Sequence, residues 1–384
     1  MKLPASTLLV YALVFCTELG QSVLFPLLPV FADEFALSDA QTGAILAAST
    51  LATVAAALPA GLLAARRGAR FVCVLAAGMI TASAVVQALA PSFEVLLLGR
   101  VLFGLAFAGV WTAGMTLLAD RAGARALGTS VAIGGLAHLA GPPLAGMLAD
   151  AAGRAVPFAL MAAGAAVVTA GLALVRGPDV RATDAAGLRA AAGAVGREPV
   201  LRSAVVMIAL VGTLTGVVGL VVPLVLDREG FGPTQIGAVF AIGSVMWIAS
   251  SLVAVRAGAR AVSAGVGGVG AVLIGLAALL PAFTSAAPVV IGFVVLRALL
   301  QAPLSTINYP LGERGARLAG VATGTVMGLL NLVWGLCAAA APLLTGALLQ
   351  ATSAQLVFVA LAALCAAAGM AMLRTGSGPA PAYA

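Results

Sequence analysis

The chain is a succession of apolar runs, each about the length needed to cross a bilayer, with arginines and Gly/Pro punctuation between them. Lipid offers no partner to an unpaired backbone N–H or C=O, so such runs must be helical. A span of roughly 30 Å needs about 20 residues. Twelve runs are read, at residues 6–32, 40–65, 71–91, 93–119, 126–149 and 155–175, then 203–226, 233–255, 261–283, 287–311, 316–349 and 352–373. Of the 384 residues, 62% are hydrophobic and 9% charged, against roughly 45–50% and 25% in soluble domains. That balance excludes a cytosolic enzyme, a secreted domain and a disordered protein. The 46 glycines suit close approach of helix backbones in lipid. The first run is too long for the 7–15-residue core of a signal peptide, and no small-residue cleavage site follows it. The expected fold is an all-α polytopic membrane protein with twelve transmembrane helices.

The net charge of +7 is not a nucleic-acid footprint, because the cations form no single patch or stripe. Lys2, Arg66, Arg67, Arg70, Arg121, Arg125, Arg256, Arg260, Arg314, Arg317 and Arg374 all fall on one side of the twelve runs. The other side holds only Arg154 and Arg228, against Asp33, Glu34, Asp39, Asp150, Asp227 and Glu229. The positive-inside rule therefore places both termini in the cytoplasm, with the chain a multi-pass protein of the cytoplasmic membrane. The one long polar stretch, residues 176–202, carries five arginines and three acids. It is read as a cytoplasmic linker between six-helix bundles at 1–175 and 203–384. Cys16, Cys73, Cys337 and Cys365 each sit inside an apolar run with no metal or disulfide spacing, and read as small buried hydrophobes.

The two halves repeat one another. Ala64-Ala65-Arg66-Arg67-Gly68-Ala69-Arg70 returns as Ala254-Val255-Arg256-Ala257-Gly258-Ala259-Arg260, and Gln41-Thr42-Gly43-Ala44 as Gln235-Ile236-Gly237-Ala238. Asp120-Arg121 near Gly128 returns as Glu313-Arg314 near Gly320, Pro142 and Gly146 match Pro342 and Gly346, and Phe158 matches Phe358. The offset stays between 190, at Ala64/Ala254, and 200, at Pro142/Pro342. A parallel repeat of six helices is the architecture of secondary transporters, whose site lies between the halves near the bilayer midplane.

At these residues the chain resembles the major facilitator superfamily, in its twelve-helix drug–proton antiporter type. Gly61 through Arg70, with Arg66, Arg67 and Gly68, looks like the family's loop motif between helices 2 and 3. Arg100-Val101-Leu102-Phe103-Gly104 followed by Ala108-Gly109 looks like the helix 4 motif of proton-driven members. Gly128, Ala137 and Gly141-Pro142-Pro143-Leu144-Ala145-Gly146 look like the helix 5 motif of antiporters, with alanines at 137 and 145 where the pattern prefers glycine. The loop motif departs at Ala65, where the family carries an aspartate that bonds to neighbouring helix ends. The resemblance implies cytoplasmic gating by Arg66, Arg70, Asp120 and Arg125. Asp120, at the C-terminal end of helix 4, needs an arginine partner, because the helix dipole disfavours an anion there. The alternative is that these are solvated positive-inside charges.

A charge at the bilayer centre costs at least about 2.5–3.5 kcal/mol, so such residues mark function by default. Three are read there: Glu18 in helix 1, Arg100 in helix 4 and Arg297 in helix 10, on helices that line the cavity in the resembled family. Glu18 is expected to carry the coupling proton, with Arg100 reaching across to modulate it; a structural Glu18–Arg100 ion pair is the alternative. His138, the only histidine, is either a packing residue or a proton relay. Candidates for substrate contact are Glu18, Gln21, Trp111, Arg297, Gln301, Asn308, Tyr309, Asn331 and Trp334, with Trp247 beside them; helix-to-helix hydrogen bonding is the rival role. Ser38 to Gln41 reads as a capping box opening helix 2. No phosphate cradle, zinc spacing or nucleophile–base pair is present, so neither catalysis nor a cofactor nor a metal is expected. The function expected is proton-coupled export of small amphiphilic compounds by a monomer in the lipid bilayer. A sugar or organic-anion transporter on the same scaffold is the alternative, and a non-transporting receptor or membrane enzyme a remote one. Two arginines against one glutamate lean toward anionic, zwitterionic or neutral cargo.

Overall fold

The structure, a computed structural model, describes residues 5–175, 188–258 and 262–376, and the side chains of these except 119–128, 188–190 and 376. Its helices are α1 (Ala5–Ser22), α2 (Leu24–Glu34), α3 (Asp39–Arg67), α4 (Ala69–Ala88), α5 (Phe93–Gly109), α6 (Met115–Ala152) and α7 (Ala155–Leu174). A π-helical turn, Val110–Gly114, joins α5 to α6. The chain continues through α8 (Leu188–Arg197), α9 (Pro199–Arg228), α10 (Pro233–Ala257), α11 (Ala264–Phe283), α12 (Ala287–Ala319), α13 (Thr323–Ala351) and α14 (Ala354–Gly376). Among the described residues there are eleven spans long and apolar enough to cross a membrane, and α1 with α2 makes a twelfth as a pair bent by 42°. The all-α, twelve-span membrane fold read from the sequence is the fold observed.

The single first helix expected over 6–32 is corrected to this bent pair. Pro26 has no N–H to give the Ser22 carbonyl, and its ring clashes with that carbonyl one turn back. Other boundaries differ as well: the eleventh span starts at Thr323 and not 316, and α8 and the first turn of α9 lie inside the expected linker 176–202. The expected connection at 120–125 lies inside the helical assignment of α6. Helix α12 runs to Ala319, past the expected 311, because Gly320 at φ 67° caps it with its N–H on Ala316 O and Arg317 O. The polar Glu313 that suggested a loop is instead paired with Arg317, one turn on, at 2.8 Å.

The chain forms two compact units. The first comprises Met1–Asp184, Val222–Ala241 and Pro342–Ala347, and the second Ala185–Val221, Ile242–Ala341 and Leu348–Ala384. In the first, Val10, Leu13, Val14, Val72, Ile80, Val110 and Leu117 build a core with α7 residues Ala165 and Leu172. Its backbones approach closely where glycine allows it. A Cβ at Gly104 of α5 would overlap the Ser49 carbonyl of α3, and one at Gly141 of α6 would overlap Ser22 Oγ of α1. A Cβ at Gly146 would strike Pro233 O, one at Gly237 Pro142 O, and one at Gly346 Asp39 O. The helix 5 pattern Gly141-Pro142 to Gly146 is thus a packing surface for α1 and for the start of α10. Arg154 forks onto Glu34, donates to Ala90 O at 2.9 Å and lies 5.0 Å over the Phe31 ring. Arg228 pairs with Asp39 at 2.8 Å, and the Thr234 N–H donates to Asp150 Oδ2 at 3.0 Å.

These contacts predict a contrast between two glycines. Gly104→Ala should lower stability by about 1–3 kcal/mol, the usual cost of overpacking against fixed backbone. Gly164→Ala, whose Cβ would meet nothing within 4 Å, should leave it unchanged. Thermal unfolding of the two purified variants in detergent checks the contrast, and equal midpoints would refute it.

Candidate functional site

Glu18 sits on α1 in the first unit, only 7% exposed. Its Oε1 accepts from Trp111 Nε1 at 2.7 Å, and its Oε2 lies 3.5 Å from His138 Nδ1. Each partner comes from a different element. Trp111 lies in the π-helical turn, where one extra residue per turn alters which side chains face α1. Its ring continues a column with Phe107 and Phe103, at centroid spacings of 6.2 and 6.0 Å. His138 comes from α6, one turn after Gly134, and that glycine leaves room for the Glu18 side chain at 3.3 Å from where its Cβ would be. His138 Nδ1 also lies 3.1 Å from Gly134 O. Both of its neighbours, a carbonyl and a carboxylate, are acceptors, so Nδ1 is assigned the ring proton. The arrangement is a carboxylate held by one indole and one imidazole.

Arg100 does not approach this carboxylate as the sequence led one to expect. It is fully buried, and its bonds run from Nη2 to Ser49 Oγ at 2.8 Å, from Nη2 to Gln21 Oε1 at 3.4 Å and from Nη1 to Gly20 O at 3.4 Å. Its guanidinium lies 4.8 Å over the Phe103 ring. The cation therefore ties α5 to α1 and α3, neutral dipoles and a π face doing the work of a counter-ion. Gln21, a substrate candidate, is engaged in this tie.

In the second unit, Arg297 Nη1 donates to Gln301 Oε1 at 2.6 Å on the same helix. Asn308 donates from Nδ2 to Ala204 O of α9 at 3.3 Å, a helix-to-helix bond. Tyr309 donates to Asn331 Oδ1 at 2.8 Å, linking α12 to α13. The Trp334 carbonyl faces Gly212 of α9, where a Cβ would lie 2.6 Å away. Trp247 is on α10.

The candidate gating residues take different places. Gly68 makes the turn between α3 and α4 at φ 91°, a conformation that favours glycine, with its N–H on Ala64 O. Arg70 donates to Leu172 O at 3.0 Å and Ala173 O at 3.2 Å, a cation on the unpaired carbonyls ending α7. Arg66 is exposed, and Gly61 lies against Thr112. The side chains of Asp120 and Arg125 lie outside the described residues, and with them the expected cluster.

Replacing Arg100 by Lys keeps the charge but loses the fork that reaches Ser49, Gln21 and Gly20 together. The expected cost is about 1–3 kcal/mol of stability, read as a lower unfolding midpoint, and an unchanged midpoint would show the tie to be dispensable.

Residues 10–327 match the family model described as Major Facilitator Superfamily. No curated protein is similar enough to the chain to match it. A crystal structure of a bacterial homologue of the human lysosomal transporter Spinster, inward-facing and unoccupied, superposes with TM-score 0.76 at 18% identity, covering 98% of this chain and 95% of that one. The nucleoside transporter NupG superposes with TM-score 0.78 at 15% identity, covering 97% and 100%. At these identities the likeness is one of fold.

Proposed function

The chain belongs to the major facilitator superfamily and is a membrane transporter, and from that premise we propose that it exports small amphiphilic organic compounds by exchange for protons. The observation that carries the reading is the Glu18 carboxylate, bonded to Trp111 and beside His138. Coupling requires a group whose affinity for the proton differs between two conformations, since a ligand shifts an equilibrium only through differential binding. Glu18 is buried in α1, and its partners stand on the π-helical turn and α6, so any displacement among these three elements changes what the carboxylate feels. His138 is the relay through which the proton reaches or leaves it. The two repeats, 1–175 and 203–384 joined by 176–202, are the parts proposed to move about the cargo, in a cytoplasmic membrane and as a monomer. Antiport rests on the helix 5 pattern, Gly141-Pro142 to Gly146. Transport of an organic-anion metabolite on the same scaffold is the second reading, favoured by Arg297, whose side-chain hydrogen bond among the described residues goes to the neutral Gln301.

Glu18→Gln has the shape and charge of the protonated acid. It should reduce pH-driven accumulation of amphiphiles in everted vesicles to background, while downhill exchange persists. Uphill transport by Glu18→Gln with an unchanged dependence on the pH gradient would remove Glu18 from the mechanism.

A further inference from the structure

Arg100 and Arg297 hold the same place in the internal repeat, yet their surroundings differ. In the register that sets Gln41 on Gln235, Ser49 falls on Gly243. In the register that sets Pro26-Leu27 on Pro223-Leu224, Gln21 falls on Val218. Both side chains that accept from Arg100 are therefore replaced, in the second half, by residues with nothing to offer. Arg297 keeps one side-chain acceptor, Gln301, on its own helix. Among the described residues its Nε is buried without a hydrogen-bond partner, as is that of Arg100, but Arg100 spends its Nη2 on Ser49 and Gln21. Nη1 is spent on Gln301, so the edge formed by Nε and Nη2 remains. That edge is the one that grips a carboxylate with two parallel hydrogen bonds.

No acid of the second unit can supply that carboxylate. The unit's sequence holds two acids, Glu198 and Glu313, and none occurs between Glu229 and Glu313. Glu313 is 16 residues along α12 from Arg297, about 24 Å at 1.5 Å per residue, and it is paired with Arg317. Glu198 caps the start of α9, its Oε1 accepting from Val200 N at 3.2 Å. Arg297 lies ten residues into α12 from Ala287, or about 15 Å, too deep for its head group to snorkel to the interface. The carboxylate of Glu18, in the first unit, has both oxygens engaged by Trp111 and His138.

We propose that Arg297, oriented by Gln301, binds an anionic group of the transported molecule, and that the cargo is a carboxylate-bearing organic solute. One guanidinium with one neutral amide balances a monoanion, which selects a carboxylate over a doubly charged phosphate. Arg297 is then the binding residue and Gln301 a positioning residue. The inference rests on the chain being a transporter, but it is independent of proton coupling.

The test is thermal unfolding of the purified full chain at a single pH, with benzoate, salicylate and 3-phenylpropionate, each beside its uncharged amide. The carboxylates should raise the wild-type midpoint and the amides should not. Arg297→Gln should abolish that shift or raise the half-effect concentration at least about tenfold, Arg297→Lys should keep part of it, and Gln301→Leu should weaken it severalfold. Without ligand, Arg297→Gln should unfold no earlier than wild type, because no counter-ion is stranded and the new amide can still donate to Gln301. Carboxylates that act no better than amides, or a shift that survives in Arg297→Gln, would overturn the proposal. So would an early-unfolding or unfoldable Arg297→Gln, since that would reveal a counter-ion within the protein. No gradient is present in this experiment, so a failure here and a failure of Glu18 in vesicles are separate results.

Discussion

A charge in hydrocarbon must be met by the protein that carries it, and the three charges that the sequence places there are met in three different ways. Glu18 is met by donors, an indole and an imidazole. Arg100 is met by a hydroxyl, an amide oxygen, a backbone carbonyl and an aromatic face. Arg297 is met by one amide, with an edge left over. The helices around these groups are placed by contacts that need almost no side chain at all. Gly104 brings α5 onto the Ser49 carbonyl, and the same serine's hydroxyl then reaches Arg100. A close backbone approach and the solvation of a buried cation are one local solution.

The spans were legible in the sequence because lipid enforces them: a run of apolar residues has no folded alternative to a helix once its backbone must be satisfied internally. Within the runs the sequence was less informative. The break after Ser22 was signalled by Pro26, whose cost is local and could be read. The π-helical turn at 110–114 had no such signal, since Val-Trp-Thr-Ala-Gly is compatible with an ordinary helix and the extra residue is fixed by packing. That turn decides the site, because Trp111 owes its place in the turn to it. The long α12 was hidden for the opposite reason. Glu313, Arg314 and Arg317 looked like a connection, whereas a helix end in the head-group region tolerates charges that pair one turn apart.

The candidate residues show how far composition goes. Burial of charge singled out Glu18, Arg100 and Arg297, but not their partners. Arg100 and Glu18 have opposite charges, and a sequence argument joins them across the cavity; the structure instead turns Arg100 toward Gly20 and Gln21. Asn308 and Tyr309 are neighbours in sequence and diverge in role, one tied to a carbonyl of α9 and the other to Asn331 of α13. Side chains one residue apart on a helix point about 100° from each other, so adjacency in a polar pair carries no information about a shared site.

The repeat adds a last step. Glu18 falls on Thr215 in the register that aligns Pro26 with Pro223, and Thr215 spends its hydroxyl on Val211 O, one turn back, at 2.9 Å. The acid is thus present in one half only, just as the polar partners of the arginine are. Where the halves agree, at the Gly-Pro packing surfaces and the glycine turns, the residues serve the scaffold, because two copies of one bundle need the same contacts. Where they disagree inside the spans, one copy carries a carboxylate where the other has a hydroxyl, and one arginine lacks the acceptors from neighbouring helices that the other has. A scaffold has no use for that asymmetry, since a symmetric set of neutral residues would pack as well and cost less. On the reading proposed above, the departures from the repeat, more than the repeat itself, locate the chemistry of this transporter.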